Sequence, residues 1–213
     1  MNVCHFGDCL TVMREMVSAG VRVNSIVTSP PYWRQRNYGV VGQIGLEKTP
    51  EEYVVKMVEV FSVARALLSD DGTLWLNIGD KWASGGRGGG GSYMDDRAEA
   101  WSHVKDAKGW RNPPAGYKDK DLVGVPWMLA FALRADGWYL RQCNIWAKPN
   151  CMPESVQDRS TAAHEYVFQL SKSNDYFYDN EAARTPATPN TDTRLAMKAG
   201  GRLTGSPHGR HAL

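Results

Sequence analysis

Cysteine is scarce in these 213 residues. There are four, Cys4, Cys9, Cys143 and Cys151, and none stands in a C-x-x-C pair. That argues against a zinc site and against a disulfide framework, and reads as reduced thiols in a cytoplasmic protein. Long apolar runs are missing too: no stretch approaches the roughly 18 residues of a membrane span. The N-terminus has neither the basic start nor the apolar centre of a secretory leader. A membrane partner is therefore not expected. Excess charge is also lacking. The net charge is +2, so the overall balance does not announce a polyanionic partner. Only locally does one sign run out: no acidic residue follows Asp192, while Arg194, Lys198, Arg202 and Arg210 remain. Such a tail is either solvated or able to touch phosphates.

What is present is an ordinary globular composition, 42% hydrophobic and 23% charged, enough for one domain with a sizeable core. Residues 2–6 read as a short strand. Asp8 stands where a helix N-cap belongs, ahead of Leu10, Met13, Met16 and Val17 at helical spacing. Residues 23–28 read as a buried strand. Over 49–68, Thr49, Pro50 and Glu52 make a capped helix start, and Tyr53, Met57, Val60, Phe61, Ala64, Leu67 and Leu68 form its apolar face. Asp70-Asp71-Gly72 reads as a turn before the strand "TLWLNIGD". A helix over 125–135 is closed by Gly137. Strands follow at 138–147, 164–171 and 175–179, the last two as neighbours in a meander. Between "TLWLNIGD" and the helix over 125–135, residues 81–120 hold a glycine tract and mixed charges without periodicity, which predicts a mobile or functional insertion. Early alternation of strand and helix followed by adjacent late strands predicts an α/β sheet containing at least one hairpin. In such sheets ligands bind beyond the carboxyl ends of the strands.

Two such ends carry unusual residues, "TSPPYW" (28–33) and "NIGD" (77–80). Pro30-Pro31 cannot continue a central strand, because proline has a fixed φ and no N–H. A rigid, donor-free corner with a hydroxyl before it and rings after it suits one chemistry. The exocyclic amino group of a nucleobase is a poor nucleophile, since its lone pair is delocalised into the ring. Two acceptors gripping its hydrogens free that pair. The Ser29 hydroxyl and the Pro30 carbonyl can supply them, preorganised by the prolines. Tyr32 offers a ring face on which an extruded base can stack. The competing reading of the tetrapeptide is a plain proline-rich turn or polyproline ligand.

"TSPPYW", with "YGVVGQIGLEKTPEEYV", "LLSDDGTLWLNIGD", the segment from "DLVGVPWMLAF" through "HEYVFQLSKS", and "YFYD", resembles the amino-methylating DNA methyltransferases of restriction-modification systems. These make N4-methylcytosine or N6-methyladenine. The resemblance covers residues 1 to about 180, a catalytic region interrupted by the flexible insertion 81–120. Residues 181–213 read as a linker or the start of a further part. It implies a Rossmann-like methyltransferase sheet with a C-terminal β-hairpin, S-adenosylmethionine as methyl donor and double-stranded DNA as partner. It implies that Ser29, Pro30, Pro31 and Tyr32 are the catalytic motif, with cytosine N4 favoured over adenine N6 because serine opens it. It also implies that Asp8 and Pro30 meet the donor, Asp8 in competition with its helix-capping role. Asp80 is either a cleft residue or a turn aspartate. His164-Glu165 is either a structural hydrogen-bonding pair or part of the chemistry, and residues 146–150 are expected near the base pocket.

The match breaks at one point. Members with an early S-P-P-Y carry a late glycine motif resembling D-P-F-x-G-S-G, and no such stretch occurs here. "GGRGGGG" follows no apolar strand and precedes no amphipathic helix, so nothing aims its amides at a ligand. The expectation is a truncated enzyme, inactive alone, that needs a complementary C-terminal chain. The alternative is a catalytically inactive DNA-binding fragment or one half of a split enzyme.

Overall fold

In the computed structural model, residues 2–83, 115–154 and 156–185 are described. The chain divides into two units, Met1–Phe177 and Tyr178–Leu213. Of the second, only the start is described, a turn in which Asp179 accepts from the Ala182 amide through its side chain and from Ala183 through its carbonyl. Of the insertion over 81–120, residues 84–114 lie outside the described residues, as does the basic tail.

The first unit runs α1 (Cys9–Ser18), β1 (Val23–Thr28), α2 (Pro50–Leu67), β2 (Leu68–Ile78), α3 (Val125–Ala135), β3 (Tyr139–Ala147) and β4 (His164–Ser171). The sheet order is β1-β2-β4-β3. β1 and β2 are parallel and joined through α2, as a parallel pair requires a crossover. β4 runs antiparallel between β2 and β3, so the hairpin is formed by β3 and β4. No helix among the described residues is long and apolar enough to cross a membrane.

Local chemistry explains the elements. Asp8 accepts the Thr11 amide at 2.9 Å and caps α1. The Thr49 hydroxyl accepts the Glu52 amide at 3.1 Å and Pro50 enters α2 first, while the Glu52 carboxylate reaches back to the Lys48 amide. Leu74, Leu76 and Ile78 of β2 and Phe168 and Leu170 of β4 meet Tyr53, Met57 and Phe61 of α2 and Leu129 and Leu133 of α3 in one core.

Four expectations change. Residues 2–6 are not a strand: no described strand pairs with them and Phe6 is largely exposed. Residues 175–179 are not a strand either. Among the described backbone bonds, only that from the Phe177 amide to the Asp71 carbonyl ties them to β2, which is not a ladder. Asp70-Asp71-Gly72 lies inside β2 as an irregularity, where the register passes from Val23 opposite Leu68 to Ser25 opposite Thr73. Gly72 is needed there, since a Cβ would come within 2.9 Å of Leu68 and 3.1 Å of the Asn24 carbonyl. Finally, among the described residues β1 is an edge strand and is not buried on both faces. Ile26 packs toward the core, but Val27, pointing the other way, is 80% exposed.

The register sets the site. Thr28, the last residue of β1, pairs with Leu76, and Asn77 and Ile78 pair with Val167 and Tyr166 at the start of β4. The corner after β1, the end of β2 and the beginning of β4 therefore converge at one edge.

Candidate active site

Each residue of the corner has a distinct fate. The Trp33 ring is buried, and its Nε1 donates to the Glu47 carbonyl at 3.0 Å. The second ring of "YW" is therefore core. The Pro31 carbonyl accepts the Tyr53 hydroxyl at 3.0 Å. Gly45, at φ +100°, closes against this segment, and a Cβ there would meet the Tyr32 carbonyl at 3.2 Å and Pro31 Cβ at 3.3 Å. Its carbonyl accepts the Arg34 amide at 2.6 Å. The stretch "GQIGLEKTP" thus braces the corner from α2's side. No described hydrogen bond engages the Pro30 carbonyl, and Ser29 is exposed.

Tyr32 lies at the centre of a cluster. Its hydroxyl accepts from the Ser29 hydroxyl at 3.3 Å and stands 2.9 Å from both Asn77 Oδ1 and Glu165 Oε2. The other Glu165 oxygen is paired with Lys148 Nζ. Asn77 is fixed in turn, its amide nitrogen donating to the Tyr166 carbonyl at 3.2 Å. Gly79 is glycine for space: a Cβ there would meet Tyr32 Cε2 at 2.8 Å. Burial pushes the Tyr32 phenol up to about 12, and Glu165 adds to the shift. Burial works to raise the Glu165 carboxyl, but the hydrogen bonds from Lys148 and Tyr32, with the lysine's charge, hold it below the usual glutamate value.

The sequence pointed to Ser29, Pro30, Pro31 and Tyr32 together; they follow the end of β1, with the Tyr32 hydroxyl against Asn77 and Glu165. It read Tyr32 only as a stacking face, and the hydroxyl's position as a hub was not legible. Asn77, Gly79, Lys148 and Glu165 complete the cluster. The sequence singled out their neighbourhoods, residues 77–80, 146–150 and His164-Glu165, but not their convergence: Lys148 and Glu165 flank the same end of the β3–β4 hairpin, where Trp146 pairs with Glu165. Asp80 holds α3 in place. Burial raises its carboxyl, while the amides of Lys81, Val125 and Gly124 at 2.9–3.1 Å oppose that rise. Asp8 is exposed and caps α1, and no described contact links it to residues 29–32. A cavity of about 230 Å³ is lined by Asp80, Trp82, Leu122, residues 160–163, His164 and Tyr166.

Lys81 and Arg34 line the same edge. The lysine donates to the Arg34 carbonyl at 3.2 Å and lies 5.5 Å from the Trp33 ring centre. Burial, with the Arg34 charge adding, pushes the Lys81 ammonium down to about 8.

Comparison with known proteins agrees with this architecture. A family model described as DNA methylase matches residues 23–203. The Type II methyltransferase M.XycI of Xanthomonas campestris pv. cyanopsidis is 50% identical over 181 residues, 85% of this chain and 58% of that protein. M.Cfr9I of Citrobacter freundii is 51% identical over 178 residues, 84% of this chain and 57% of its own. The chain thus spans a little over half the length of these relatives. Among solved structures, the PvuII cytosine-N4-specific DNA methyltransferase superposes with TM-score 0.54 at 18% identity, covering 87% of this chain and 54% of that one. A candidate DNA modification methylase of Thermus thermophilus, complexed with S-adenosyl-L-methionine, gives 0.50 at 19% identity, covering 85% and 59%. The likeness establishes a Rossmann-like methyltransferase fold.

Proposed function

The chain belongs to the N6/N4 DNA methylase family, and from that premise we propose that it supplies the base-binding side of a Type II DNA methyltransferase. The reaction is transfer of a methyl group from S-adenosylmethionine to the exocyclic amine of a base flipped out of duplex DNA. Cytosine N4 is placed ahead of adenine N6 because Ser29 opens the motif.

One observation carries the reading. Of the two adjacent proline carbonyls, Pro31's is occupied by Tyr53, while no described hydrogen bond engages that of Pro30, the residue that follows the exposed Ser29. Two acceptors on a rigid corner match the two hydrogens of an amino group. Gripping both favours a pyramidal nitrogen whose lone pair is free to attack. The prolines supply this without reorganisation and bring no competing N–H. The Tyr32 ring, anchored through its hydroxyl, can hold the flipped base against these acceptors.

S-adenosylmethionine supplies an electrophilic methyl group. The described residues offer it no closed cradle. The carboxylate of Asp8 accepts from Thr11, and the sequence lacks the glycine turn that allows close backbone approach. The outer edge of β1 is unpaired among the described residues, so a further segment fits there as the donor-binding side. That favours the half-enzyme form of the reading.

The test is product analysis. Duplex DNA is treated with donor and the chain, alone and supplied with the remaining segment of the Citrobacter freundii relative, then digested to nucleosides for mass spectrometry. N4-methylcytosine is expected from the supplemented chain. Methylation at a ring carbon, or none despite DNA binding, contradicts the reading.

A further inference from the structure

A file of hydrogen bonds leads away from the proposed amine site. The Ser29 hydroxyl donates to the Tyr32 hydroxyl, and that hydroxyl has one proton to give. Two acceptors lie 2.9 Å away, the Asn77 amide oxygen and the Glu165 carboxylate. The ionised group is the stronger acceptor, so the proton points at Glu165. Lys148 holds the far oxygen of that carboxylate. With its own proton directed to Tyr32, Ser29 presents only lone pairs to a substrate.

We infer that Glu165 is the terminal acceptor of the proton released by the substrate amine, reached from Ser29 through the Tyr32 hydroxyl, with Lys148 positioning it. This deepens, and rests on, the amino-methylation reading above. Transfer of a methyl group from a sulfonium to the amine leaves its nitrogen a cation with one proton to lose. That N–H bond breaks with its electron pair staying on nitrogen, and the proton bonds to Ser29 Oγ. The Ser29 proton passes to Tyr32 Oη, and the Tyr32 proton passes to Glu165 Oε2. The sum is one proton moved from aminium to carboxylate, with the two hydroxyls restored and no oxidant or reductant needed.

The local electrostatics suit each member. A phenol pushed up to about 12 stays protonated near neutrality, so Tyr32 passes a proton on only as it receives one. A carboxyl held below its usual value is ionised and ready. An aminium conjugated to a nucleobase ring is a far stronger acid, so the transfer runs downhill. Among the described residues, Lys148 and Tyr32 are the titratable groups that face Glu165, with the Asn77 amide beside them, and the Arg36 charge acts on the phenol. His164 packs edge-on against Tyr166, their ring centres 5.2 Å apart, and alternation along β4 turns both away from Glu165.

Two measurements test the relay. In the chain alone, the ¹³C carboxyl resonance of Glu165 is followed against pH. It should titrate below the ordinary glutamate value, and both Tyr32→Phe and Lys148→Met should raise it. No change in Tyr32→Phe overturns the file. In the supplemented enzyme, Glu165→Gln still accepts from Tyr32 but cannot hold the proton. Single-turnover methylation should fall by about 10²-fold or more, the scale of a lost proton acceptor. The residual rate should rise with pH as hydroxide takes over. Tyr32→Phe should lose a similar factor, and the double variant no more than either. An unchanged Glu165→Gln rate, or a pH-independent loss that adds to that of Tyr32→Phe, overturns the relay while the methylation reading stands. A wild-type enzyme that yields no N-methylated base removes both.

Discussion

At the corner, neighbouring residues of one type do different work. Pro30 and Pro31 share their backbone constraint, but only Pro31 has its carbonyl bonded to Tyr53. Tyr32 and Trp33 are both aromatic, yet one stands in the cleft and the other in the core. The motif was legible because prolines at a strand's end are conspicuous. Which carbonyl stays open depends on a tyrosine twenty-two residues away, and spacing alone cannot give that. Gly79 illustrates the same limit: it packs on Tyr32. Gly79→Ala should therefore displace the Tyr32 ring while leaving the far end of the sheet intact. Amide chemical shifts check this, with perturbation expected around residues 29–33 and 165 and little at β1's start. Lys81 makes a pH prediction. Burial weakens its hold on a proton in the folded state, to about 8. Between that pH and the ordinary lysine value the unfolded chain binds more protons, so this residue's contribution makes stability rise with pH. Lys81→Met should flatten that rise in urea denaturation measured at both ends of the window.

Among the elements, those with a local signal were readable. Thr49-Pro50 and Asp8 announce α2 and α1 through capping chemistry, and alternating apolar residues announce β4. Pairing partners are not written locally. Residues 2–6 and 175–179 have strand-like composition but no described ladder, and the antiparallel partner of β4 is β3, which precedes it. The placement of α3 was also hidden. Gly124 offers the helix no side-chain cap. Asp80 takes that role from the end of β2, its carboxylate accepting the amides of Gly124 and Val125. The same neighbourhood closes the base of the insertion, where Trp82 bridges Leu122 and Val123 donates to the Lys81 carbonyl. Asp80→Ala should leave these buried amides unpaired and cost about 1–3 kcal/mol for each group left unsatisfied. Chemical denaturation measures it, and a neutral substitution would mean the helix start is held by other contacts.

At the scale of the whole sheet, one edge is open among the described residues. A parallel strand normally lies inside a sheet covered on both faces, whereas β1 pairs only with β2 among the described residues and leaves Val27 exposed. The expected consequence is weak or undetectable binding of S-adenosylmethionine by the 213-residue chain. Isothermal titration decides it, and micromolar affinity would show that some segment here forms a cradle by itself. The base side makes the sharper demand, because the account places the chemistry on Ser29 and Pro30. The most direct measurement is single-turnover methyl transfer from labelled donor to duplex DNA by the supplemented enzyme, with serine or alanine at position 29. Losing a preorganised contact at the reacting atom should lower the rate by roughly 10²-fold or more while duplex affinity changes little. Turnover of Ser29→Ala close to that of the wild type would contradict the account.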